Sequence, residues 1–141
     1  VKAGGTSIWE RWDALRPDGT VNLGKDPGSG LVNAVGGGMV SFNHYANGAV
    51  GDWLYRRVAG LEAIEPGYKK FKVAPLVGGG LTSVSCFKKL SSGTIKINWN
   101  FENGVFVLSI NVPFNTSAVI TLPDGKSLEV SSGKYVYSVE M

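Results

Sequence analysis

The stretch Thr94-Ile-Lys-Ile-Asn-Trp-Asn-Phe-Glu-Asn-Gly-Val-Phe-Val-Leu-Ser-Ile-Asn-Val112 decides the fold. Ile95, Ile97, Trp99 and Phe101 alternate with Lys96, Asn98 and Asn100, the period-two pattern of a half-buried antiparallel strand. Asn103-Gly104 supplies a hairpin turn, and Phe106, Leu108 and Ile110 repeat the alternation on the return. The same period predicts strands at Lys70–Val73, Leu81–Lys88, Ala118–Leu122, Ser127–Val130 and Lys134–Val139, with Pro123-Asp124-Gly125 as a further turn. Seven short strands in about 75 residues point to a β-sandwich or barrel. The triple glycine at 78–80 reads as a connector.

Upstream of Glu65-Pro66-Gly67 the period changes. Phe42, Tyr45, Ala46, Ala49, Val50, Trp53, Leu54 and Val58 recur at helical spacing, which predicts one long amphipathic helix over about 41–59, with Ser41 near its start and Gly60 as its stop. One helix cannot form a helical domain, so its apolar stripe is expected to fold against the sandwich or to self-associate. A short turn near Leu31–Val35 is the only other helical signal.

Composition narrows the function. Of 141 residues 43% are hydrophobic and 18% charged, which is the composition of a chain that buries a core. The length is too short for a (β/α)₈ barrel of about 250 residues. The 20 glycines exceed the usual share of about 7%, and 12 of them lie in the first 60 residues. Net charge is +3, and the basic residues are scattered rather than striped, which argues against nucleic acid as a partner. No apolar run reaches the roughly 20 residues of a membrane span. A lone cysteine, Cys86, forms no internal disulfide or CxxC knuckle and is compatible with a cytoplasmic, periplasmic or secreted protein. The opening Val1-Lys2-Ala3-Gly4-Gly5 reads as the start of a cut or processed chain.

Two stretches could carry chemistry. In Thr6-Ser7-Ile8-Trp9-Glu10-Arg11-Trp12-Asp13 a carboxylate lies between two indoles, where partial exclusion of water suits it to proton transfer. Indole faces also accept the C–H faces of sugars. The alternative is a structural cluster, with Arg11 and Arg16 paired to Asp13 and Asp18. The second stretch, Ser41-Phe42-Asn43-His44-Tyr45-Ala46, holds the only histidine, either a hydrogen-bonding residue of a first helical turn or a site residue. His44 has no cysteine or second histidine as co-ligand, so no metal site is expected. Gly36-Gly37-Gly38 lacks the phosphate-loop pattern, and neither Ser7 nor Ser41 lies in a nucleophile elbow.

These stretches, with Pro17-Asp18-Gly19-Thr20, Gly48-Ala49-Val50-Gly51-Asp52-Trp53-Leu54-Tyr55-Arg56, Ala59-Gly60-Leu61, Pro66-Gly67-Tyr68-Lys69 and Pro75, resemble the C-terminal end of a bacterial α-L-rhamnosidase. The resemblance implies an inverting glycoside hydrolase with an (α/α)₆ barrel, which releases terminal non-reducing α-L-rhamnose from a glycoside or polysaccharide and needs no cofactor. It implies that Glu10 is the general base and that His44 helps to line the rhamnose pocket. Trp9 and Trp12 are candidates for the pocket wall. The general acid would lie in barrel helices upstream, so the chain alone is expected to be inactive. Gly24–Gly38 reads as an insertion, a surface loop or a rim over the pocket.

The expected architecture is therefore mainly β. Residues 1–65 would be the last segment of the barrel, Gly-rich and then helical, and 66–141 a terminal antiparallel, jelly-roll-like β-sandwich. A non-catalytic carbohydrate-binding or structural β-sandwich, and another (α/α)₆ sugar hydrolase or lyase, are the competing readings.

Overall fold

Alternation sets which side chains turn inward, and the strands follow it closely. A computed structural model describes residues 4–23 and 40–141; the expected turn at Leu31–Val35 and the Gly24–Gly38 stretch lie outside the described residues. The chain divides into two compact units, Val1–Val50 and Gly51–Met141.

In the second unit eight strands are formed: β1 (Leu61–Ala63), β2 (Lys70–Val73), β3 (Ser83–Leu90), β4 (Gly93–Glu102), β5 (Val105–Val112), β6 (Ser117–Thr121), β7 (Ser127–Val130) and β8 (Gly133–Glu140). They make two four-stranded sheets, ordered β1-β2-β6-β7 and β3-β4-β5-β8. All seven expected strands are present to within two residues at each end, and β1, only three residues long, is additional. Sequence alternation did not distinguish one pairing: β2 and β6 run parallel, Phe71 beside Ala118 and Val73 beside Ile120, while the remaining pairs are antiparallel.

The two-residue turn between β4 and β5 is the expected one. Asn103 and Gly104 both take positive φ, 52° and 76°, as a tight hairpin with matched twist requires. At the β6–β7 hairpin, Gly125 N–H donates to Leu122 O, and the Asp124 carboxylate accepts from Lys126 N–H at 3.0 Å. That bond is the main reason its carboxyl sits below the ordinary aspartate range.

Phe71, Val73, Ala118 and Ile120 of the first sheet and Ile95, Ile97, Trp99, Phe106, Leu108 and Ile110 of the second form one core, each at most 2% exposed. Cys86, half-buried, packs on its edge, and removal from water pushes its thiol up.

The helical segment departs from expectation. It begins at Tyr45, not near Ser41, and its winding changes along its length: a 3₁₀ turn (Tyr45–Gly48), α1 (Ala49–Trp53) and a wider π turn (Leu54–Val58) closed by Ala59 N–H donating to Leu54 O at 2.9 Å. His44 is extended (φ −85°, ψ 102°) because its N–H is taken by Ile8 O, which removes residues 41–44 from the helix. Within the second unit the expected stripe is buried at its end and not before it: Val58 and Ala59 are buried, whereas Trp53 and Leu54 are about half exposed.

The end of the helical segment is joined to the sandwich by the buried Val58 side chain and by hydrogen bonds. Trp99 Nε1–H donates to Val58 O at 2.9 Å, and Leu76 N–H donates to Arg57 O at 2.9 Å beside it. Trp99→Phe keeps most of the ring but leaves that buried carbonyl without its donor, a cost of about 1–3 kcal/mol. A lowered urea midpoint of that size with an unchanged m-value is the expected result.

Gly60, the expected stop, is required by its conformation and its surroundings. Its φ is +79°, and a Cβ there would lie 2.3 Å from Ala74 C and Pro75 N. That close approach allows Ala74 N–H to reach Gly60 O at 3.0 Å.

Candidate functional site

Within the first unit, two extended segments far apart in sequence are held side by side. Glu10 N–H donates to Ser41 O at 2.8 Å, and His44 N–H donates to Ile8 O at 2.8 Å. Ser7 Oγ–H donates to Phe42 O, adding a third link. The Asn47 side-chain amide, at the start of the helical segment, donates to Trp9 O at 3.1 Å and to Glu10 O at 3.3 Å. Trp9 sets the edge-to-face packing against Phe42, with ring centroids 5.2 Å apart and planes at 85°. Gly5 packs on the Trp9 indole, where a Cβ would come within 3.1 Å of the ring.

This arrangement fixes the Glu10 carboxylate. Its Oε2 accepts from the backbone N–H of Ser41 at 2.7 Å. The hydrogen bond holds one oxygen of an exposed side chain. The expected shielding between two indoles is not observed: Glu10 is exposed, and Trp12 is fully exposed, 105%, projecting away from any packing. The reason is local. The Ser41 N–H draws the carboxylate toward residues 41–44, and among the described residues nothing packs on the Trp12 ring.

The flanking hairpin supplies a rigid base. Ala14 is fully buried, Asn22 N–H donates to Ala14 O at 2.9 Å, and Leu15 bridges Val21. Arg11, its side chain 19% exposed, pairs with Asp13 at 3.0 Å as expected and also donates to Asn22 O at 3.2 Å. The Asn22 amide donates to the other oxygen of Asp13 at 2.9 Å. Arg16 donates to Val21 O at 3.1 Å. At the turn, Asp18 Oδ1 accepts from the hydroxyl and the N–H of Thr20, which holds its carboxyl below the ordinary aspartate range.

His44 lies on the same ladder, its ring parallel to Tyr45 with centroids 6.0 Å apart. Its Nδ1 is buried and has no hydrogen-bond partner among the described residues. Leaving such an atom unpaired costs about 1–3 kcal/mol. The structure thus brings together Trp9, Glu10 and His44, and leaves Trp12 apart. Sequence reading missed Ser41 as the partner of Glu10 and Asn47 as the clamp on its backbone. Both act across more than 30 positions, so spacing carried no sign of either. Among the described residues no group of three or more His, Cys, Asp or Glu side chains could hold a metal ion.

Residues 60–136 match the family model of the bacterial α-L-rhamnosidase C-terminal domain. The chain belongs to the bacterial α-L-rhamnosidase family. Residues 1–58 match a second model of that family, the bacterial α-L-rhamnosidase six-hairpin glycosidase domain. Among curated proteins, an α-L-rhamnosidase of Streptomyces avermitilis is 35% identical over 123 residues, covering 87% of this chain and 11% of that protein. One from Formosa agariphila is 33% identical over 137 residues, covering 96% and 13%. Solved structures agree in fold. The native α-L-rhamnosidase of Aspergillus terreus superposes with a TM-score of 0.76 at 37% identity, over 96% of this chain and 14% of that one. The Streptomyces avermitilis enzyme complexed with L-rhamnose gives 0.76 at 32% identity, over 99% and 14%. The chain therefore spans only 11% to 14% of the length of these α-L-rhamnosidases.

Proposed function

We propose that this chain is the C-terminal part of an α-L-rhamnosidase that releases terminal, non-reducing α-L-rhamnose from glycosides with inversion of configuration, with Glu10 as the general base. In this reading residues 1–65 belong to the catalytic barrel and 66–141 form its terminal β-domain. The observation that supports it best is the Glu10 carboxylate itself: accessible, held through one oxygen by Ser41 N–H, and carried by a segment that matches a glycosidase domain.

The chemistry follows from that arrangement. Oε1 accepts a proton from a water molecule as the water oxygen attacks the anomeric carbon from the face opposite the leaving group. The bond to the aglycone oxygen breaks, and a second carboxylic acid protonates that oxygen. Inverting enzymes set the two carboxyl groups about 6.5–9.5 Å apart so that the water fits between base and sugar. The second group would come from the preceding barrel. The reaction balances with water as the only co-reactant. His44 and Trp9, fixed beside Glu10, line the sugar pocket, and Trp12 offers its exposed ring as part of the wall. A donor from the barrel or the sugar satisfies His44 Nδ1.

Because one carboxylate cannot both protonate the leaving group and activate water, the 141-residue chain alone should not hydrolyse p-nitrophenyl α-L-rhamnopyranoside. Release of p-nitrophenol above the uncatalysed rate by the purified chain would overturn the division of the two carboxylates between this chain and the barrel.

A further inference from the structure

The outer face of the β3-β4-β5-β8 sheet is ordered by register into cross-strand rows. One row runs Phe87, Lys96, Asn111, Lys134 from β3 to β8. The next, about 6.8 Å further along the strands, runs Ser85, Asn98, Ser109, Val136. Two depressions open on this face, about 410 Å³ over Lys96, Asn111 and Lys134 and about 370 Å³ over Ser83, Ser85 and Asn100; both include Asn98 and Ser109. They form one continuous shallow groove.

Its polar groups are held in place. Ser85 Oγ–H donates to Asn98 Oδ1 at 2.7 Å, which leaves the two N–H donors of Asn98 for another acceptor. The Asn111 amide donates to Thr94 O at 2.7 Å, which leaves its Oδ1 as a fixed acceptor. Amides and hydroxyls with fixed orientation suit a polyhydroxylated ligand. Outside the two depressions, but paired with Lys96 in the register, stands Phe87, 60% exposed, whose ring can stack on a pyranose. Lys96 beside it and Lys134 at the far end of the row have no ion-pair partner among the described residues. No acidic residue lines either depression, so the local charge is positive.

We propose that this groove is a second saccharide site, separate from Glu10, for an oligosaccharide that contains a uronic acid. The carboxylate lies on the Lys96–Lys134 row, and neutral sugar hydroxyls meet the Ser85–Asn98–Ser109 row. Such a site would hold a polymeric substrate while its rhamnose end is cleaved. It therefore extends the glycosidase reading, but its binding test does not depend on Glu10.

The test is titration of the full 141-residue chain, followed by amide NMR, with a tetrasaccharide of alternating rhamnose and galacturonic acid. Tetragalacturonate and free L-rhamnose serve as controls. Perturbed amides should cluster at residues of β4, β5 and β8 on the outer face. Lys96→Glu combined with Lys134→Glu should weaken binding about tenfold or more, the loss of charge-assisted hydrogen bonds, and Asn98→Ala should weaken it by several-fold. These side chains lie on the solvent face, so an unchanged urea midpoint certifies that the variants fold. Three results would overturn the proposal: no shifts at about 5 mM tetrasaccharide, equal binding by free L-rhamnose, which has no carboxylate, or binding indifferent to the three substitutions. A failure here leaves the role of Glu10 untouched, and an active Glu10→Gln enzyme would leave this site standing.

Discussion

Glu10→Gln, introduced into the full-length enzyme, is expected to lower kcat on an α-L-rhamnoside by a factor of about 10²–10⁴, the usual contribution of a positioned general base. The substitution removes basicity with little change of shape. The glutamine carbonyl oxygen can still accept the Ser41 N–H that holds Oε2 at 2.7 Å, so the Ile8–Glu10 and Ser41–His44 segments remain paired. Substrate contacts made by neighbouring groups also persist, and KM should change by no more than a few-fold. A loss confined to kcat marks an interaction used in the transition state. Steady-state kinetics together with a urea midpoint separate this from unfolding, and an enzyme of wild-type kcat would remove Glu10 from the mechanism.

The largest effect on stability is expected from Gly60→Ala. Two penalties combine at that position. A residue with a Cβ held at φ +79° costs about 1–2 kcal/mol, and the methyl would lie 2.3 Å from Ala74 C. That neighbour is backbone and cannot swing aside as a side chain would. Either the junction between the helical segment and β1 opens, losing the Ala74 N–H to Gly60 O bond, or the Ala74-Pro75 chain shifts and disturbs Leu76 N–H on Arg57 O. Overpacking of this kind costs about 1–3 kcal/mol more. The expected total is about 3 kcal/mol or above, seen as a drop in the urea midpoint of the 141-residue chain. Gly67→Ala is the internal comparison: its φ is +68° but no atom lies within 4 Å of the added carbon, so only the conformational part is paid. Equal losses at the two positions would show that the close approach at Gly60 contributes nothing.

The parts of the fold that were legible in sequence are those governed by near neighbours. Alternation through Ile95, Ile97 and Trp99 gave β4, and Asn103-Gly104 gave its hairpin, because a period of two and a positive-φ pair are local facts. The parallel pairing of β2 with β6 was not legible, since Phe71 and Ala118 lie 47 positions apart and either direction would bury the same side chains. The helix start was misread for a similar reason. Phe42 continues the apolar period of the helix, yet its ring packs on Trp9, and pairing with Ile8–Glu10 keeps its segment extended.

At the candidate site, Glu10 and His44 emerged from the sequence through resemblance, whereas the groups that hold them did not. Ser41 acts on Glu10 through its backbone N–H, which leaves no residue-type signature, and the Asn47 side-chain amide acts on the Glu10 carbonyl from a distant part of the sequence. The saccharide groove was hidden in another way. Lys96, Asn98, Ser109 and Lys134 each read singly as solvent-facing positions of a strand; only the register turns them into two rows.

The role proposed for Glu10 is tested most directly by azide rescue. In the full-length Glu10→Ala enzyme the missing carboxylate leaves room for a small anion, and azide is a nucleophile that needs no base to activate it. With a 2,4-dinitrophenyl α-L-rhamnoside, added azide should restore turnover, and proton NMR of the product should show β-L-rhamnosyl azide, the inverted anomer. An α-azide product, or a Glu10→Ala enzyme whose low rate does not respond to azide, would contradict the assignment of Glu10 as the base of an inverting displacement.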